Sequence, residues 1–350
     1  MSNIISLIHR LEPQHSLSLE EYEQLISQRT QEAATLLAEK AVAIRRQVYG
    51  NTVYIRGLIE ISNICKNDCI YCGIRRSNHN CDRYRLEPDV ILACCQEGYD
   101  LGFRTFVLQG GEDAYYSDEI LCDLITHIKK AHPDCAVTLS LGERGYDSYK
   151  KLYDAGADRY LLRHETADSE HYSKLHPTNM SYEHRMQCLH NLKDIGYQVG
   201  CGFMVGSPHQ TNACLAQDLK FIETFKPDMC GIGPFIPHRD TPFKEHPAGT
   251  LELTCYLLSI IRLIHPQVLL PSTTALGSID PNGREKGILS GANVVMPNLS
   301  PANVRSKYSL YNNKVHSGSE SAQSRNDLVT RMHSIGYEVV TDRGDVKKYI

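Results

Sequence analysis

Apolar and polar positions along the chain follow two rhythms. Over residues 1–50 the spacing is helical: Ala34, Leu37, Ala41 and Ile44 share one face, and Ser18-Leu19-Glu20-Glu21 has the form of a capping box. From there on, short β-rich runs alternate with amphipathic stretches. Strands are predicted over 54–61, 105–109, 137–141, 159–163, 199–205, 229–235, 268–273 and 292–296. Between them Pro88, Ser117, Ser181 and Thr250 mark helix starts, and Gly102, Gly156, Gly196 and Gly291 fall at helix ends. Eight strand–helix repeats predict an α/β fold, a (β/α)8 TIM-type barrel over 51–299 preceded by a helical extension over 1–50. A doubly wound sheet is the rival, disfavoured by the strand count and the unbroken rhythm. Beyond Pro297 the pattern changes to Ser300-Pro301-Ala302-Asn303, a polar stretch over 311–324, a helix ending at Gly336 and an extended 337–340. Residues 300–350 are therefore expected to form a C-terminal cover.

Composition narrows the partners. Lys and Arg number 37 against 41 Asp and Glu, a formal charge of -4 without a basic tract, which argues against a nucleic-acid backbone and for a small substrate or another protein. The first fourteen residues interrupt a short apolar run with His9, Arg10 and Glu12, and no stretch approaches 18 apolar residues. Neither a signal peptide nor a membrane span is expected, and the chain reads as cytoplasmic. Its thirteen Cys then read as reduced thiols, and Cys94, Cys95 and Cys122, set among apolar residues, as small buried hydrophobes.

One group of thiols is different. Cys65, Cys69 and Cys72, separated by three residues and then two, follow the first strand directly. Three thiolates on one loop suit three irons of a cubane [4Fe-4S] cluster and leave the fourth iron open for chemistry. Zinc is the alternative, but a closed zinc site wants four ligands, and the nearest other thiol, Cys81, has no Cys-x-x-Cys partner. A disulfide framework fits a long chain without a secretory segment poorly.

A barrel gathers its active site at the strand C-termini, where the unusual residues of this chain fall. Strand two ends in Gly110-Gly111-Glu112, whose glycines let backbone approach a ligand and whose carbonyls and carboxylate accept from an ammonium group. Strand three offers Thr138 and Ser140 at alternate positions. Strand four ends Arg163-His164-Glu165, three ionisable side chains positioned to grip a polar ligand. Strand five carries Met204 in a Gly-rich run, and the Gly-rich end of strand six suits a flat ligand. Strand seven ends Thr273-Thr274-Ala275, where two hydroxyls and Arg163 suit a carboxylate; a Thr pair alone is also ordinary strand composition. Arg185 by itself reads as a solvated helix residue.

With Tyr71 just before its last Cys, the thiol loop resembles the signature of radical S-adenosylmethionine (SAM) enzymes, in which the open iron chelates the methionyl group of SAM. Gly110-Gly111-Glu112 then resembles the motif that holds the SAM amino group. Segments 56–60, 109–116, 138–143, 160–167, 231–241, 273–277 and 291–298 together look like the HydE family, and biotin synthase does not share these motifs as a set. The resemblance covers residues 50–310. It implies a radical SAM (β/α)8 barrel enclosing a cavity, with one [4Fe-4S] cluster on Cys65, Cys69 and Cys72. It implies SAM held by Glu112, Glu165 and Arg185, with Tyr71 flanking the adenine and Met204 among the cofactor contacts. Arg163, Thr273 and Thr274 would line the substrate end, joined by Thr138, Ser140 and Ala275. The implied activity is reductive cleavage of SAM to a 5'-deoxyadenosyl radical that attacks sulfur of a cysteine-bound iron carbonyl cyanide unit, in assembly of the [FeFe]-hydrogenase H-cluster. An external electron donor and other hydrogenase maturases are the implied partners.

Two departures from the family pattern stand out. Some members carry three further Cys near the C-terminus for a second cluster; here that stretch reads Lys314-Val315-His316-Ser317-Gly318-Ser319-Glu320-Ser321, and no Cys follows Cys255, so no second cluster is expected. A cavity-lining Tyr found just before Arg305 in the family is Val304 here. Two alternatives remain: a radical SAM synthase of the biotin or methylornithine type, which should differ at Arg163, Thr273 and Thr274, and a non-catalytic Fe-S or zinc carrier, which would need no Gly-Gly-Glu turn and no enclosed barrel.

Overall fold

Eight parallel strand positions close into a ring. The computed structural model describes residues 3–315 and 321–347. The first position consists of β1 (Thr52–Ile55) and β2 (Gly57–Ser62), interrupted at Arg56. Then follow β3 (Thr105–Gly110), β4 (Ala136–Ser140), β5 (Arg159–Leu161) and β6 (Gln198–Cys201), each parallel to the one before. The fifth position continues as β7 (Met204–Val205), and the sixth is β8 (Met229–Cys230) with β9 (Gly233–Pro234). Residues 268–271 make the seventh. They form only isolated bridges, Met229 to Leu269 and Pro271 to Val294, because Pro271 has no N–H for a ladder. Leu269 and Leu270 still accept from Cys230 N–H and Asn293 N–H, at 2.9 Å each. Finally β10 (Val294–Val295) pairs with β1, Tyr54 opposite Val294. The order predicted from the apolar pattern is the order observed.

The helix signals are equally local. Ser18 makes both hydrogen bonds of the capping box at Leu19–Ser27. Pro88 opens Pro88–Asp100, and Ser117, Ser181 and Thr250 each accept from a backbone N–H in the first turn of their helices. Helix Leu19–Ser27 packs on Asn212–Phe225, and Gln31–Tyr49 on Leu251–Ile264. Leu25, Ile26, Leu37 and Ala41 thereby join the same apolar core as the barrel.

Residues beyond Pro297 serve both ends of the barrel. Tyr308, Leu310, Tyr311 and Lys314 line the mouth, whereas β11 (Glu338–Val340) pairs beside β1 at the base. There Arg159 donates to Thr105 Oγ1 (2.9 Å) and pairs with Asp345, and Arg56 donates to Gly344 O (3.2 Å). The base is thus stoppered by charge and backbone. Residues 316–320, part of the stretch compared with second-cluster cysteines, lie outside the described residues. Among the described residues no helix is long and apolar enough to cross a membrane.

Strands five and six, each predicted as one run, both break at glycine. Gly202 has φ +152°, and a Cβ there would lie 2.0 Å from Gly231 O, so the two backbones are in direct contact where their ladder is interrupted. Gly202→Ala is expected to destabilise the fold by about 2 kcal/mol or more, since backbone cannot step aside as a side chain can. The check is the thermal midpoint of the purified variant; an unchanged midpoint would show that the contact relaxes freely.

Candidate active site

A cavity of about 370 Å³ occupies the C-terminal ends of the strands, and Cys65, Cys69 and Cys72 line it. The thiol loop is fixed to the Gly-Gly-Glu turn by backbone. Lys66 N–H donates to Glu112 O and Gly111 N–H to Ser62 O, both at 3.0 Å, and Glu112 N–H points at Cys65 Sγ, 3.4 Å away. Gly111 has no room for a side chain: a Cβ would lie 2.2 Å from Ile64 O. Asp113 braces the turn from behind, accepting from Ser62 Oγ (2.7 Å) and, bidentately, from Arg85 Nε and Nη2 (2.7 and 2.8 Å). Burial alone would raise the Asp113 carboxyl; the Arg85 and Ser62 hydrogen bonds outweigh it and hold the group below the usual range.

Burial raises all three thiols, and their mutual repulsion adds to this at Cys69 and Cys72, the latter pushed up to about 12. Bound iron would supply the positive charge that favours their thiolate forms. The donor set, three cysteines on one glycine-cradled loop with Cys81 absent from the lining, fits a [4Fe-4S] cluster with one iron free of protein.

Beside the loop runs an apolar wall. Tyr71 and Ile70 pack with Leu175, Met204, Phe235 and Phe243, and the Tyr71 hydroxyl lies 3.4 Å from His176 Nε2. Charged side chains line the same cavity. Arg185 is buried, contrary to its reading as a solvated helix residue: Nε bonds Glu143, Nη1 donates to Arg163 O (2.6 Å), and Nη2 has no protein partner among the described residues. Glu112 also lines the cavity, with one oxygen accepting from Glu143 N–H (3.0 Å) and the other paired with Lys66 (3.0 Å).

Arg163 and Glu165 point inward from the end of β5, Nη2 and Oε2 3.5 Å apart. Arg163 Nε and Nη2 and Glu165 Oε2 are buried without a hydrogen bond among the described residues. Orphans of this kind are costly unless a ligand completes them. His164, between them, faces the other way and is fully buried against Asp218, because side chains alternate along an extended chain. The expected three-residue grip is therefore two residues. Glu165 also carries a positive φ of +67°, a strain of about 1–3 kcal/mol that the surrounding structure must hold.

Gly110, Ser140, Thr273, Thr274 and Ala275 line the same cavity. Thr138 does not. Two residues earlier on β4 than Ser140, it sits one layer deeper, on a separate small space shared with Arg56 and Arg159. Among the wall residues that sequence reasoning left unassigned are Glu60, Tyr308 and Lys314. Glu60 is completely buried on β2, paired with Lys314 and accepting from Asn298 Nδ2 (2.9 Å). A carboxylate inside the apolar run Leu58-Ile59-Glu60-Ile61 was the available signal; Lys314, 254 residues away, offered none.

Comparison with known proteins agrees with this geometry. A profile described as the Radical SAM superfamily matches residues 59–222. The [FeFe] hydrogenase maturase subunit HydE of Thermotoga maritima is 46% identical over 279 residues, 80% of this chain and 79% of the relative. A 3-methylornithine synthase of Methanosarcina acetivorans is 28% identical over 281 residues, again 80% and 79% of the two chains. Among solved structures, methylornithine synthase (PylB) superimposes with a TM-score of 0.81 at 24% identity, covering 95% of this chain and 97% of that one. HydG, a maturase of the [FeFe]-hydrogenase, gives 0.80 at 19% identity, covering 96% and 75%. At these identities the two structures show the shared fold.

Replacing any one of Cys65, Cys69 or Cys72 by Ser is expected to abolish cluster incorporation, whereas Cys94→Ser and Cys122→Ser should leave it intact. Iron analysis after anaerobic reconstitution should give about four irons per chain for the parent protein. About eight would establish a second cluster and contradict the single-site count.

Proposed function

Because the chain belongs to the HydE family of radical SAM enzymes, we propose that it matures [FeFe]-hydrogenase by starting radical chemistry on a small, sulfur-bearing ligand derived from an amino acid. The observation that carries this reading is the convergence, in one cavity, of the thiol triplet with Arg163 and Glu165 atoms that lack hydrogen bonds. When bound, the cluster and SAM supply an electron and a 5'-deoxyadenosyl radical, with methionine as the other product.

The chain's own residues divide between two tasks. Arg185, with Nε and Nη1 already fixed, offers Nη2 to the SAM carboxylate. Glu165 accepts from the ribose, Glu112 and the Gly110-Gly111 backbone receive the ammonium group, and Tyr71 and Met204 flank the adenine. Beside Glu165, Arg163 is the cation for a substrate carboxylate, with Thr273 and Thr274 as hydroxyl donors and Ser140 and Ala275 completing the surface. Tyr308 and Lys314 cover part of the mouth. The ligand most consistent with this is a cysteine-bound iron carbonyl cyanide unit attacked at sulfur. An external reductant and other maturases complete the system, in the cytoplasm; nucleic acid has no part in it.

Two variants test the division. Arg185→Ala is expected to weaken SAM binding by about 1.5–3 kcal/mol, the range for a lost hydrogen bond to a charged group. Anaerobic titration measures this, and parent-like affinity would remove Arg185 from the SAM site. Arg163→Lys keeps the charge but loses the two-pronged guanidinium. Turnover of a synthetic iron–cysteine complex should fall roughly tenfold while substrate-free SAM cleavage stays within about twofold. Equal loss of both would place Arg163 with SAM instead, and full retention of both would leave it a structural residue.

A further inference from the structure

The turn that delivers Glu165 is held from outside the cavity. Asp218, fully buried on helix Asn212–Phe225, places Oδ1 between two donors: Ala167 N–H at 2.6 Å and His164 Nε2 at 3.2 Å. Those donors flank Glu165 and Thr166, so a single oxygen ties both ends of the turn. The other side of the His164 ring faces Gly202, whose N–H donates to Nδ1 at 3.3 Å. A ring that accepts at Nδ1 carries its proton on Nε2 and donates it to Asp218. Burial pulls His164 down to about 3, which keeps the imidazole neutral. Gly202 also accepts from Glu165 N–H (3.0 Å), completing a loop of hydrogen bonds around the one non-glycine residue at the mouth of β5 with positive φ.

Neither His164 nor Asp218 lines the cavity, and Asp218 Oδ2 has no hydrogen-bond partner among the described residues. A buried carboxyl without a permanent cation is a cost to the fold. Its role here is geometric. We propose that Asp218 and His164 are positioning residues, which hold the 164–167 turn in its left-handed form and so aim the Glu165 carboxylate at SAM. The proposal rests on the assignment of Glu165 to the SAM site. Without the tie the backbone relaxes toward negative φ, and the Cα–Cβ bond of Glu165 swings off the cavity.

The test uses cluster-loaded protein carrying Glu165→Gln, Asp218→Asn, Asp218→Ala, His164→Phe, or Asp218→Ala with Glu165→Gln. The SAM dissociation constant is measured by anaerobic calorimetry, with iron content and thermal midpoint on the same samples. Glu165→Gln is expected to weaken SAM binding about tenfold, as are Asp218→Ala and His164→Phe, with iron content unchanged. Asp218→Asn, whose Oδ1 still accepts both N–H groups, should bind within about twofold of the parent, and the double variant within about twofold of Glu165→Gln alone. The proposal is overturned if Asp218→Ala and His164→Phe lose thermal stability yet bind SAM like the parent, or if the losses in the double variant multiply. Parent-like affinity in Glu165→Gln overturns the site assignment and the proposal together, and is told apart because that variant leaves Asp218 intact. Should Asp218→Ala not fold, His164→Phe retains the ring packing against Phe203 and Phe221 and decides the question by the same criteria.

Discussion

The hydrogen bonds that join the last strand to the first are the constraint on which everything else depends. Tyr54 N–H donates to Asn293 O (2.9 Å), Arg56 N–H to Val295 O (3.0 Å) and Leu58 N–H to Pro297 O (2.9 Å). An open sheet would leave these donors unpaired along a long edge; closing the ring removes the edge and forces every strand to tilt around a common axis. All strands run parallel, so their C-termini meet at one mouth. That is how a thiol from residue 65, a guanidinium from 163 and a hydroxyl from 273 come to border one space.

Inside a closed barrel charge is expensive, and several of the buried charges are paired. Glu60 meets Lys314, Asp113 meets Arg85, Arg159 meets Asp345 and Arg185 meets Glu143. Breaking a fully buried pair costs about 3–5 kcal/mol, a large part of the roughly 5–15 kcal/mol that holds a typical domain together. Against that background one long pair is informative: Arg163 and Glu165 stand 3.5 Å apart. Arg163 Nε, Arg163 Nη2 and Glu165 Oε2 are left without hydrogen bonds at the cavity wall, where a ligand with complementary charge would satisfy them. The same wall carries the positive φ of Glu165. Strain and unmade hydrogen bonds thus fall at the same turn, with the scaffold of Asp218, His164 and Gly202 behind it.

Much of the design is local in sequence and was legible there. Short continuous apolar runs placed the strand positions, because burial on both faces of a parallel sheet demands them. Capping residues placed the helix starts, since an N-cap hydroxyl reaches only two or three residues along the chain. The thiol triplet and Gly110-Gly111-Glu112 were equally readable, as each works through a span of a few residues. The breaks at Gly202 and Gly231 were not, because the contact that causes them lies between different strands.

What the sequence by itself determined is therefore the parts and their order: eight strand positions, the helices between them, the cysteine loop after the first strand and the ionisable residues at strand ends. Only the tertiary structure decided which of those residues share a cavity. It turned His164 outward and Arg163 and Glu165 inward, set Thr138 a layer below Ser140, and buried Arg185 against Glu143. It also brought Lys314 to Glu60 across 254 residues of chain. The physical reason is range. Propensity, capping and alternation act within a turn or a strand, whereas a buried charge finds its partner only after ring closure has set distant segments side by side.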